Sequence, residues 1–230
     1  MKKTFLLSCL MLAAMPVMAA YTGHVYVDKN KNGVFDQSEK PLAGIKVSDG
    51  LNVVETAADG SFTLPGHERE RFIFITTPSG YKTFNRHYHK IEKKQSGYDF
   101  GLIPYSGRIR KDGSHRYIHI TDTEIFNTEN HADWVNNVRD YARNEQAAFI
   151  IHTGDICYEK GLKAHIKLMN TENMDCPVFY CIGNHDLVKG KYGEELFESI
   201  YGPVYYSFDA GNVHYVVTPM PGGDHAPGYT

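Results

Sequence analysis

Three apolar runs, each ending in a knot of polar residues, constrain the second half of this chain more than any other feature. The run YIHIT at 117–121 leads into Asp122 and Glu124, the run AFIIHT at 148–153 into Gly154 and Asp155, and the run VFYCI at 178–182 into Gly183, Asn184, His185 and Asp186. Helical stretches separate them, one carrying Trp134, Val138 and Tyr141 on a single face and the other near 162–169. Strand-helix alternation of this kind predicts a parallel sheet, with the 117–121 run buried in it. In open α/β sheets a ligand sits beyond the carboxyl ends of the strands, which is where these polar residues collect. Carboxylate, amide and imidazole donors gathered on one rim suit Mn, Fe or Zn.

The first part of the chain has a different rhythm. Short β-type runs at 21–28, 45–47, 53–56, 61–64 and 72–76 are separated by turns that include Asp49-Gly50 and Asp59-Gly60. Tight-turn pairs between short alternating strands predict a small antiparallel β-sandwich. After the first strand, Asp28, Asn30, Asn32, Val34, Asp36 and Glu39 fall at positions 1, 3, 5, 7, 9 and 12 of a calcium loop, with Gly33 at position 6. Calcium takes six to eight oxygens, and such a loop turns them inward, Val34 through its carbonyl and Glu39 through both carboxylate oxygens. The flanks read as strands, so the expectation is a structural calcium clip; an ion-free Asn/Asp/Gly turn has the same composition. His87 and His89 fall on one side of a strand and read as strand histidines, and His119 and His152 as satisfied histidines within their strands.

Lys2, Lys3, the apolar run 5–17 and the small residues ending at Ala19 predict a cleavable export signal over 1–20, and hence a periplasmic or secreted protein. That run falls short of the roughly 20 residues needed to span a bilayer, so no membrane span is expected in the mature chain. With 42% hydrophobic and 22% charged residues among 230, the chain is too apolar to be disordered. A net charge of −3 gives no nucleic-acid footprint. Cleavage would remove Cys9 and leave Cys157, Cys176 and Cys181, an odd number that predicts no disulfide framework, although one pair could form.

Asp122, Gly154-Asp155 and Gly183-Asn184-His185-Asp186 together resemble the first three motifs of the calcineurin-like metallophosphoesterase superfamily, and the run 201–217 resembles the strand pair that follows them there. The first part is similar to the β-sandwich that precedes the catalytic domain in exported bacterial members. The resemblance implies an α/β fold, a four-layer α/β/β/α sandwich that is incomplete here, over 114–230, after a β-sandwich over 21–105. It also implies two divalent transition metals, with Asp122 on the first, Asp155 bridging both and Asn184 on the second. A metal-bridging hydroxide would attack the phosphorus of a small-molecule or polymeric phosphomonoester or phosphodiester, His185 would serve the leaving oxygen, and Asp186 would orient that imidazole. Glu124 stands where the family pattern has His, giving a harder, more anionic first-metal site. The family's later His ligands have no counterpart before Thr230, and neither His214 nor His225 matches their context. The expectation is therefore a fragment or truncated product with weak metal binding. The alternative is an exported non-catalytic binding module, a calcium-clipped sandwich joined to a phosphoesterase remnant.

Overall fold

A computed structural model describes residues 20–105, 108–156, 158–188 and 191–219. The expected export signal, Cys157 and His225 lie outside the described residues.

The first part contains nine short strands: β1 (Tyr21–Val27), β2 (Lys40–Pro41), β3 (Lys46–Ser48), β4 (Val53–Glu55), β5 (Ser61–Leu64), β6 (Phe72–Ile75), β7 (Tyr81–Thr83), β8 (Tyr88–Lys90) and β9 (Phe100–Pro104). They form two sheets, one running β2-β1-β9-β7 with β5 also paired to β1, the other running β4-β3-β6-β8. Val25, Val47, Leu64, Ile73, Ile75 and Leu102 fill the space between them. The sandwich is not wholly antiparallel as the turn signals suggested, because β1 and β9 pair in parallel, Tyr26 opposite Gly101. These two strands stand at opposite ends of the domain sequence, so no hairpin turn dictates their direction.

The second part begins with β10 (Arg116–Ile120), α1 (Ala132–Asn144), β11 (Ala147–His152), α2 (Glu159–Leu168) and β12 (Val178–Tyr180). A 3-10 turn at Asn184–Asp186, α3 (Glu195–Tyr201), β13 (Tyr206–Ala210) and β14 (Val213–Val217) follow. β10, β11 and β12 make the expected parallel sheet in that order. One face packs against α1 and α2 through Val135, Ala142, Ile150, Ala164 and Val178. The other meets the antiparallel β13–β14 hairpin, where the Phe179 and Phe208 rings stack 3.6 Å apart and 6° from parallel. The class is α/β, with α, β and β layers in the described residues.

Two local expectations give way. The aromatic residues Trp134 and Tyr141 of α1 are 41% and 60% exposed, and the helix turns Val135, Val138 and Ala142 to the sheet instead. These fall at i, i+3 and i+7, a stripe that brings the helix backbone closer to the sheet than large rings would. Among the described residues β10 pairs with β11 alone, and its Tyr117 is 48% exposed rather than buried.

The two parts share a core. All four residues of β6 are buried: Ile73 and Ile75 face the sandwich interior, while Phe72 and Phe74 join Phe149, Phe179, Tyr206 and Phe208 of the second part. A strand buried on both faces reads as a continuous apolar run, and FIFI is such a run.

Candidate metal centre at the strand ends

The chain leaves the first two strands of the parallel sheet, β10 and β11, through strained turns. Asp122 (φ 53°), Glu124 (φ 44°), Asp155 (φ 51°) and Tyr158 (φ 30°) are four of the seven non-glycine residues with positive φ among the described residues. Left-handed backbone costs a non-glycine residue about 1–3 kcal/mol and persists only where surrounding contacts enforce it, most often at functional sites.

Those contacts are visible. The β10 and β11 ladder continues past the strands, the Thr153 amide donating to the Ile120 carbonyl at 2.9 Å and the Asp122 amide to the Gly154 carbonyl at 3.1 Å. His152 is fully buried, and burial pulls its pKa down to about 4. Its Nδ1 accepts the Gly154 N–H at 3.2 Å, so Nε2 carries the proton and donates to Thr123 Oγ1 at 2.9 Å. One neutral ring thereby ties the first loop to the second. His119, by contrast, is exposed and reaches Thr153 Oγ1 at 2.7 Å.

The second and third loops lock together at their glycines. A Cβ on Gly154 would lie 2.5 Å from the Gly183 nitrogen, and one on Gly183 would lie 2.2 Å from the Asp155 nitrogen. Only hydrogen side chains allow this approach. It lets Asp155 Oδ1 accept the His185 N–H at 3.0 Å, while the Tyr158 N–H donates to the His185 carbonyl at 3.2 Å. Asp186 is fully buried and its Oδ2 accepts the Gly183 N–H at 2.9 Å, so this carboxylate shapes the turn that presents Asn184 and His185.

Asn184 is exposed at the rim. The His185 ring is partly open to solvent, stacks on Tyr158 with centroids 5.4 Å apart, and holds Nδ1 3.7 Å from Glu124 Oε1 without a hydrogen-bond partner. Asp122 Oδ2 accepts the Thr121 hydroxyl at 2.5 Å. Neither Asp122 nor Asp155 has a Lys or Arg partner among the described residues. Hard, uncompensated oxygens with an imidazole alongside are a donor set that fits divalent cations. The Tyr158 contact with His185 was not legible in sequence, because it depends on a turn at φ 30° that no local pattern announces.

These donors are not drawn into a tight cluster. Among the described residues, the group of three His, Asp or Glu side chains whose ligand atoms all fall within 4.8 Å is Asp49, His67 and Glu70, in the sandwich. Its atoms are engaged with the chain itself. His67 Nδ1 accepts the Arg69 N–H at 3.2 Å, which leaves Nε2 protonated and facing the Asp49 carbonyl at 3.3 Å. Glu70 accepts the Tyr21 hydroxyl and the His67 N–H, and Asp49 Oδ1 accepts two backbone amides. A cavity of about 520 Å³ lies between the two parts, lined by Arg86, His87, Tyr88, Tyr180 and Tyr201 among others, and none of the strand-end donors lines it. Cys176 and Cys181 are free thiols, each pushed up to about 11 by burial.

Residues 29–104 match the family model described as the N terminal of calcineurin-like phosphoesterase, and residues 115–225 match calcineurin-like phosphoesterase itself. The chain belongs to the calcineurin-like phosphoesterases. The family consists of metal-dependent phosphoester hydrolases, and in this phosphoesterase all three motif-bearing loops fall inside the second match. A search of curated proteins finds no match to the chain.

Proposed function

We propose that this phosphoesterase hydrolyses a phosphomonoester or phosphodiester outside the cytoplasm. The observation that carries the reading is the meeting of three strand-end loops, the first two strained, with the second fastened to the third by the Asp155–His185 bond and the Gly154–Gly183 contact. Asp122, Asp155 and Asn184 would hold two divalent metals, with Glu124 as a further oxygen donor. Bound there, the metals would supply charge neutralisation and an activated water. The chain's own contribution is positional. His152 and Thr123 fix the first loop, the paired glycines fix the second against the third, and the partly open imidazole of His185 stands where it can give a hydrogen bond or a proton to a leaving oxygen. Export rests on the basic, apolar and small-residue pattern of residues 1–20.

The test is turnover of p-nitrophenyl phosphate and bis(p-nitrophenyl) phosphate with added Mn²⁺, Zn²⁺ or Fe²⁺, for the parent chain and for Asp155→Asn. The reading requires metal-dependent turnover that falls at least 100-fold in the variant. Hydrolysis that ignores both the metal and the substitution would overturn it. Absence of turnover in the parent chain, with metal still bound, would favour the non-catalytic binding module.

A further inference from the structure

The loop between β1 and β2 lies far in sequence from the strand-end site and plays no part in the hydrolytic reading. It nevertheless encloses charge. Asp28 and Glu39, at its two ends, are 1% and 6% exposed, and neither they nor Asp36 has a Lys, Arg or His ion partner among the described residues. Buried carboxylates without a cation are costly and are ordinarily paired or coordinated to metal.

The chain's own amides satisfy part of this charge. Asp28 Oδ1 accepts the Asn32 N–H at 3.2 Å and Oδ2 the Gly33 N–H at 2.9 Å. Glu39 Oε1 accepts the Lys29 N–H at 2.9 Å, and Oε2 the Asp36 N–H at 3.2 Å. A carboxylate oxygen has two lone pairs, so each of these four oxygens keeps one. Asp36 Oδ2 gathers the Asn30 and Asn32 side-chain amides at 2.7 and 3.0 Å, and Gly33 takes the sharp turn with φ 72°.

A separate observation concerns the strand beneath the loop. Tyr26 is completely buried, Phe35 of the loop packs over its ring at 4.8 Å, and its hydroxyl has no hydrogen-bond partner. The hydroxyl lies beside Asp28: a Cβ on Gly101 would be 3.3 Å from Tyr26 Oη and 3.0 Å from Asp28 Oδ2. A phenol hydroxyl is a hydrogen-bond donor as well as an acceptor, so this one has a proton to give. A buried hydroxyl without an acceptor is destabilising, and a ligand or ligand-bound water beside Asp28 would remove that cost.

We infer that this loop is a calcium site, with Asp28, Asn30, Asn32, Asp36 and Glu39 giving side-chain oxygens, Val34 its carbonyl, and the Tyr26 hydroxyl bonding to the occupied cluster. The two asparagines carry no charge, which places the affinity in the range of extracellular calcium modules, a Kd of about 10⁻⁴–10⁻³ M. Gly33 packs against Phe84 and Asn85, both of which line the cavity between the two parts, so the ion would stiffen one wall of that cavity.

Calcium binding to the full chain should be measured by isothermal titration, and Tm followed in CaCl₂ and in EGTA. One calcium per chain is expected, with Tm rising by about 3 °C at ten times Kd. Glu39→Gln and Asp36→Asn, which leave the buried Asp28 in place, should each weaken binding at least tenfold, and Tyr26→Phe should weaken it less. Asp155→Asn should leave the loop's calcium untouched, which separates this site from the strand-end one. No binding up to 10 mM calcium, or binding of equal strength in Glu39→Gln and Asp36→Asn, would overturn the assignment.

Discussion

Arg71 Nη2 and Glu198 Oε1, 127 positions apart in the chain, lie 2.6 Å from each other across the boundary between the sandwich and the α/β part. Glu198 is 2% exposed, its second oxygen accepts the Tyr192 hydroxyl at 2.8 Å, and the Arg71 guanidinium lies over the Tyr192 ring. Burial outweighs the attraction of Arg71 and holds the Glu198 carboxyl above its ordinary pKa. Its contribution to stability is therefore full below the unfolded carboxyl pKa and declines as pH rises through the raised folded value. Glu198→Gln, which keeps an acceptor and sheds the buried charge, should cost less than about 1 kcal/mol at pH 7 and flatten that decline. Glu198→Ala removes the acceptor for both partners and should cost about 3 kcal/mol. Urea unfolding of the three proteins from pH 4 to 8 checks both values.

Gly183→Ala should disable the strand-end site without unfolding the chain. The added methyl would overlap the Asp155 amide and carboxylate at 2.2 and 2.3 Å, and the neighbour in its way is backbone rather than the end of a flexible side chain. Loss of metal-dependent turnover by at least 100-fold is expected, along with a stability loss of about 1–3 kcal/mol. Gly97→Ala, where nothing lies within 4 Å of the new atom, should leave both unchanged.

His87 sits between the two parts with its ring 4.3 Å from that of Tyr206 and its Nε2 enclosed without a partner. Burial first, then the nearby Arg86 charge, lowers its pKa to about 3. The unfolded imidazole binds a proton near pH 6.5 and the folded one does not, so this stability is present above pH 6.5 and is lost as pH falls toward 3, on the order of a few kcal/mol in all. His87→Phe should remove most of that acid sensitivity and be neutral or mildly stabilising at pH 7, since it also removes an orphaned polar atom. Thermal unfolding at pH 7.5 and pH 5 distinguishes the variants.

Phe208→Ala should cost about 3–5 kcal/mol in chemical denaturation. Phe208 is 1% exposed, stacks on Phe179 and Tyr215, and meets Phe149 edge-on at 5.0 Å. Val216→Ala on the same hairpin should change stability by less than about 0.5 kcal/mol, because Val216 is 64% exposed.

The sequence by itself determined the chemistry and the local geometry: apolar runs of strand length, polar donors at their ends, and oxygen side chains alternating around Gly33. Each of these depends on neighbours within a dozen residues, where periodicity and ligand type are written directly. Tertiary structure decided everything that needs a distant partner. It turned α1 by its small residues rather than its aromatic ones, left Tyr117 of β10 48% exposed, and set β1 parallel to β9. It buried His87 Nε2 without a partner and gave Asp186 a turn to hold. Burial and hydrogen bonding are properties of surfaces brought together by the fold, and neither the 3.6-residue period of a helix nor the two-residue period of a strand specifies which surface will arrive.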